Sequence, residues 1–184
     1  MQRVSAQEAW AVFERADCLY SGSEVEAAIA RMAQDITGRL HDQAPLLVCI
    51  MNGGVLPFAR LLTHLNFPLQ TDYVHATRYG AGLTGGDLQW IAGPAASPQG
   101  RTVLLVDDIL DEGITLTQIE ARYRALGAKD VSKAVLVTKL RTRKQPVQVQ
   151  YSALDVPDRY VFGYGMDYKG WLRNAHGIYA VAGA

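Results

Sequence analysis

The chain has 184 residues, with 18 lysines and arginines balancing 18 aspartates and glutamates, and 49% of it is hydrophobic. That length suits one α/β domain with a real core, and zero net charge without a like-charged block leaves no footprint for a nucleic-acid or membrane surface. Cys18 and Cys49 match no metal or redox spacing, the N-terminus is no signal peptide and no apolar run nears the roughly 20 residues of a membrane span; the expectation is a soluble, cytoplasmic protein with a small, discrete ligand.

Ser5 and Glu8 form a capping-box signal ahead of Ala9, Val12, Phe13 and Ala16, which share one helical face. Ser21 and Glu24 repeat the signal, and Val25, Ala28, Ile29, Met32, Ala33, Ile36 and Leu40 continue at helical spacing, so a long amphipathic helix runs toward Pro45. Leu46 to Ile50 reads as a buried strand, Met51-Asn52-Gly53-Gly54 as a turn, and Val55 to Leu65 as a helix. The paired glycines either let backbone N–H groups face an anion or simply make a tight turn.

Leu69 to Arg78 has strand character, the glycine-rich run Tyr79 to Asp87 suits a lid, and Leu88 to Ile91 suits the returning arm of a hairpin. After a turn-rich connection, Thr102 to Val106 is apolar and β-prone, as befits a strand buried on both faces of a parallel sheet. A helix with Leu116, Ile119, Tyr123 and Leu126 on one face follows and stops at Gly127. Lys133 to Leu140 is the next buried strand; Arg141, Arg143 and Lys144 beyond it read as a solvated loop. Short strands over Gln148 to Ala153, Tyr160 to Tyr164 and Tyr179 to Ala182 complete the chain. The alternation predicts an open, mostly parallel sheet flanked by helices, with ligands bound beyond the carboxyl ends of its strands.

Three acids crowd the exit of the Thr102 strand: Asp107, Asp108 and Asp111. Carboxylates there are costly unless hydroxyls or cations meet them. Residues 111 to 115 join strand to helix, so their N–H groups, the Thr115 hydroxyl and that of Thr117 can converge on a phosphate, with Gly113 permitting close approach. Asp107 and Asp108 repel that anion but can accept from sugar hydroxyls or bind a hydrated metal. A ribose 5-phosphate satisfies both halves. Paired aspartates also form the metal pocket of receiver and phosphatase-like folds, and Asp111 could simply cap the helix.

The stretch VLLVDDILDEGITL, Val103 to Leu116, closely resembles the phosphoribosyl-pyrophosphate motif of the type I phosphoribosyltransferases. Met51 to Gly54 resembles their pyrophosphate loop and Arg78-Tyr79-Gly80 the start of their mobile active-site loop. Val137-Thr138-Lys139 and Pro157 to Tyr168 resemble the base-binding strand end and C-terminal hood of the hypoxanthine-guanine branch.

The resemblance implies a single domain over residues 1–184. Its core would be about residues 20–145, and its hood about residues 146–184 together with the N-terminal residues, with a mobile β-hairpin loop. It implies Mg2+ as cofactor, phosphoribosyl pyrophosphate and a 6-oxopurine as substrates, and a homodimer or homotetramer. Asp107 and Asp108 would meet ribose hydroxyls, directly or through the metal; Asp111, Glu112, Gly113, Ile114 and Thr115 would cradle the 5′-phosphate, with Asp111 also the general base. Met51, Asn52, Gly53, Gly54 and Arg173 would hold pyrophosphate. Lys139 would donate to the purine oxygen, Tyr160 would stack on the ring, the Val161 backbone would meet its 2-position, and Asp167 would bind beside the base and hold a second metal. Tyr79 and Gly80 would begin the lid. The alternatives within the same fold are a xanthine-preferring enzyme and an RNA-binding regulator, against which the zero net charge argues.

Overall fold

Two faces of one sheet are already separated by the period-two alternation of its strands. In the computed structural model, which describes residues 4–78, 88–143 and 147–183, strand β2 (Leu46–Met51) sends Leu47 and Cys49 to one side and Leu46, Val48 and Ile50 to the other. Strand β5 (Thr102–Leu110) likewise divides Leu104 and Val106 from Val103 and Leu105. Helices cover both faces. On the first lie α2 (Gly22–Leu40), through Val25, Ile29, Met32, Ala33 and Ile36, and α3 (Val55–Leu62), through Phe58 and Leu61. On the second lies α4 (Ile114–Ala125), through Leu116, Ile119 and Tyr123. Each large aliphatic side chain buried in this way contributes about 1.5–3 kcal/mol.

The principal sheet has the order β4-β3-β2-β5-β6-β7, with β3 (Gln70–Arg78), β4 (Leu88–Ala92), β6 (Asp130–Leu140) and β7 (Tyr151–Pro157) completing it. All neighbours run parallel except β3 and β4. This is the α/β architecture expected from the alternating pattern. A second, antiparallel sheet joins β1 (Asp17–Ser21), β9 (Gly177–Ala180) and β8 (Val161–Phe162). Helix α1 (Ala6–Glu14) packs on it: the Phe13 ring lies 4.9 Å from Tyr179 and 6.2 Å from Phe162.

Both capping boxes form, at Ser5 with Glu8 and at Ser21 with Glu24. Strand β1 has no counterpart in the sequence reading, because it is short, half-exposed and made a strand only by pairing with β9 near the other end of the chain. Strand β7 begins later than the Gln148 to Ala153 reading and runs to Pro157, since its parallel register with β6, from Ala134↔Tyr151 to Leu140↔Pro157, sets its limits. Strand β8 is likewise shorter than the Tyr160 to Tyr164 reading, and β9 begins earlier than Tyr179. The expected lid, Tyr79 to Asp87 with Tyr79 and Gly80 at its start, lies outside the described residues, as does Lys144.

Candidate active site

Chain order reverses between β2 and β5: from β2 the chain steps to β3 on one side and later returns to β5 on the other. Loops leaving such strands diverge and open a crevice at the carboxyl edge. A cleft of about 400 Å³ lies there, lined by Met51 to Gly53, by His75 to Thr77 of β3, by Asp107, Asp108 and Asp111 to Thr115, and by Asp167 and Arg173. Segments scattered through the sequence therefore share one site.

The turn after β2 is shaped by what it touches. A Cβ on Gly53 would overlap the Asp108 carboxylate, and one on Gly54 would meet the carbonyl oxygens of Ile50 and Val106. Gly165, at φ 108°, passes over the Gly53 carbonyl with equally little room. Small residues here let the β2 turn, the β5 acids and the C-terminal segment converge.

Asp107 and Asp108 continue strand β5 rather than starting a loop. Burial raises the pKa of both, and the neighbouring charge of Asp108 pushes Asp107 further in the same direction. Arg173 opposes this: its guanidinium stands 3.9 Å from Asp108, pairs with Asp167 at 2.7 Å and donates to the Gly165 carbonyl at 2.6 Å. Asp167 also accepts from the Gly170 N–H at 2.6 Å. Among the described residues no cluster of three or more His, Cys, Asp or Glu groups forms a closed metal cage. Two adjacent, poorly neutralised carboxylates instead fit a hard cation that keeps most of its coordination for water and ligand oxygens.

Helix α4 begins without a side-chain cap; its N-cap is Gly113 in the left-handed region at φ 77°. Its first N–H groups consequently face the cleft with a partial positive charge. Asp111 does not act as the cap. The Thr117 hydroxyl, a candidate phosphate donor in the sequence, donates to the Gly113 carbonyl at 2.9 Å, leaving the hydroxyl role to Thr115 at the cleft wall.

Asp111 stands between three cations. Its oxygens accept from Arg141 at 2.8 Å and Lys139 at 3.2 Å, and its carbonyl accepts from Arg143 Nε at 2.7 Å. Burial pushes the carboxyl up, but the Arg141 hydrogen bond and the charge of Lys139 outweigh it and hold the pKa below its ordinary value. Arg143 also donates to the Leu110 and Lys139 carbonyls, at 3.1 and 2.7 Å. Arg141 and Arg143 are thus engaged with the acidic loop, where the sequence suggested a solvated run. A pair of arginines directly after a strand adjacent to a carboxylate-rich loop was the available signal.

Lys139, Tyr160 and Val161 do not line the cleft itself. Lys139 borders it through Asp111, and Asp158 stands 3.9 Å from Lys139 and 3.6 Å from Arg141. Tyr160 is partly exposed, edge-on to Tyr168 at 5.5 Å, and its hydroxyl accepts from the Lys169 N–H at 3.3 Å. Val161 is buried and pairs with Ala180. His75, Ala76 and Thr77 carry no site signal in the sequence; the parallel register Met51↔His75 brings them beside the β2 turn.

The family profile described as phosphoribosyl transferase domain matches residues 16–169. The chain is 29% identical over 157 residues to the hypoxanthine-guanine phosphoribosyltransferase of Bacillus subtilis, spanning 85% of this chain and 87% of that one. It is equally 29% identical over 157 residues to the hypoxanthine-guanine-xanthine phosphoribosyltransferase of Tritrichomonas foetus, with 85% and 86% covered. A solved structure of a hypoxanthine-guanine-xanthine phosphoribosyltransferase superposes with a TM-score of 0.82 at 26% identity, covering 90% of this chain and 96% of the other.

Proposed function

The chain belongs to the phosphoribosyltransferase family, and from that premise we propose that it is a purine salvage enzyme. It would transfer the phosphoribosyl group of 5-phosphoribosyl-1-pyrophosphate to N9 of hypoxanthine or guanine, releasing pyrophosphate. The observation that carries this reading is the convergence in one cleft of the β5 aspartates, the uncapped start of α4, Met51 to Gly53 of the β2 turn and Arg173. The purine assignment is also supported by the names and extent of the relatives.

In this reading the bond from the ribose anomeric carbon to the pyrophosphate oxygen breaks with its electron pair leaving on pyrophosphate, while the N9 lone pair forms the new bond. Positive charge grows on the ribose and negative charge on the leaving group. Arg173 and the turn formed by Met51 to Gly54 offset the latter through the N–H groups the turn leaves open, that of Gly54 being spent on the Ile50 carbonyl at 2.9 Å. Residues 111–115 hold the 5′-phosphate, and Asp111 takes the purine proton. Lys139, at the cleft rim, donates to the 6-oxo group and so disfavours adenine, while Tyr160 and the Val161 backbone complete the base site. Mg2+ bound by Asp107 and Asp108, with Asp167 beside a second ion, would neutralise the pyrophosphate oxygens. The small sheet would be the hood of one domain spanning residues 1–184, and Tyr79 to Asp87 the lid. A cytoplasmic homodimer or homotetramer belongs to the same reading.

The test is incubation of the protein with Mg2+, phosphoribosyl pyrophosphate and, separately, hypoxanthine, guanine, xanthine and adenine, following nucleotide and pyrophosphate together. Nucleotide is expected with hypoxanthine or guanine. Turnover of xanthine alone would reassign the substrate, and no turnover of any 6-oxopurine would overturn the proposal.

A further inference from the structure

Residue 112 is an acid in a place built for an anion. Glu112 lines the cleft between Asp111 and the positive-φ Gly113, immediately before the open N-terminus of α4. A carboxylate there repels the phosphate that the α4 N–H groups attract. Its charge is met from outside the loop. Arg141, beyond the end of β6, pairs with Glu112 Oε1 through Nη2 at 2.8 Å and with Asp111 Oδ1 through Nη1 at 2.8 Å. The same Nη1 lies 3.6 Å from Asp158, and Arg141 Nε is buried without a hydrogen-bond partner among the described residues. One planar guanidinium thus bridges two consecutive carboxylates, a geometry that a lysine ammonium does not reproduce.

We propose that Arg141 is a positioning and charge-compensating residue for the phosphate cradle, neutralising Glu112 so that the loop accepts the 5′-phosphate of its substrate. The inference rests on the phosphoribosyltransferase reading above. Two charges of opposite sign fixed at the cleft margin leave the α4 N-terminus as the net attraction. Remove the guanidinium and a single negative charge remains within a few ångströms of the incoming phosphate. Remove Glu112 instead and an unpaired cation adds to the attraction. Remove both and the balance returns.

The experiment is calorimetric titration of the folded protein with phosphoribosyl pyrophosphate and Mg2+, paired with steady-state kinetics, for the parent, Arg141→Gln, Glu112→Gln and the double variant. Arg141→Gln is expected to weaken binding about tenfold, the order set by one unbalanced charge near a phosphate at intermediate dielectric, and to raise KM for phosphoribosyl pyrophosphate more than it lowers kcat. Glu112→Gln should bind about threefold tighter, and the double variant should return to within about twofold of the parent. Because Arg141 also bonds Asp111, the double variant is the deciding arm: a defect transmitted through Asp111 would persist in it. Persistence, or unchanged affinity in Arg141→Gln, overturns the proposal. If Arg141→Gln does not fold, Glu112→Gln alone decides, and equal or weaker binding overturns it. Failure of the parent itself to bind phosphoribosyl pyrophosphate would overturn the phosphoribosyltransferase reading, a result separable from any difference among variants.

Discussion

Asp111 is a carboxylate whose basicity is traded against its readiness. Burial works against its charged form, and Arg141 with Lys139 more than offsets that, so its folded pKa lies below the ordinary 3.8. A group depressed in this way contributes stability that is fully present above its unfolded value and is lost as pH falls through the lower folded value. Acid titration of the parent should therefore show a loss of stability below the ordinary carboxylate range that is smaller in Asp111→Asn, measured as denaturation midpoints across that window. The same variant should lower kcat by about 10²–10⁴-fold, as for a lost general base, while phosphoribosyl pyrophosphate binding stays nearly intact. An unchanged kcat would remove the base assignment. Lys139 makes the second residue-scale prediction: Lys139→Ala should weaken capture of hypoxanthine and guanine by roughly 1.5–3 kcal/mol, the worth of a charged hydrogen bond, and relax discrimination against adenine. Unaffected purine kinetics would refute the contact.

At the scale of elements, the turn between β2 and α3 and the helix α2 give glycine opposite meanings. Gly53 lies against the Asp108 carboxylate, so Gly53→Ala must displace either the acid or the turn. A loss of about 1–3 kcal/mol is expected from this overpacking, with a matching loss of phosphoribosyl pyrophosphate affinity. Gly38 is exposed on α2, and among the described residues nothing lies within 4 Å of a Cβ built there. Gly38→Ala should stabilise by about 0.5–1 kcal/mol through helix propensity alone, without touching activity. Urea denaturation of both variants checks the pair, and the same sign of change in both would contradict the packing account. Helix ends differ in the same way. Capping boxes close α1 and α2 with their own side chains, whereas α4 opens on Gly113 toward the cleft.

Over the whole molecule, the site is a seam between the principal sheet and the sheet formed by both chain ends. Phe13 packs against Phe162 and Tyr179, and Trp171 Nε1 donates to the Val4 carbonyl at 2.9 Å, so α1 fastens the small sheet from outside. Phe13 is half-buried, which puts Phe13→Ala at about 1.5–3 kcal/mol, below the range for a fully buried ring. Hydrogen exchange should quicken in β8 and β9 while β2 and β5 keep their protection. Uniform quickening would show that the two sheets open as one unit.

Local physics made much of this readable from the chain alone. The capping boxes, the helical stripe of α2, the apolar runs of β2 and β5, and the acids of Asp107 to Asp111 beside a glycine turn are contiguous patterns, and their energies are set by near neighbours. The resemblance of Val103 to Leu116 and of Pro157 to Tyr168 carried the reading to phosphoribosyl transfer and to purines. Tertiary structure decided what depends on distant partners: that Asp17 to Ser21 is a strand, that His75 to Thr77 wall the cleft, that Thr117 donates to Gly113, and that Arg141 and Arg143 hold Asp111 and Glu112. A strand edge or a guanidinium has no partner written beside it in sequence. Its partner is chosen when parallel β5 and β6 bring the ends of two remote segments into register.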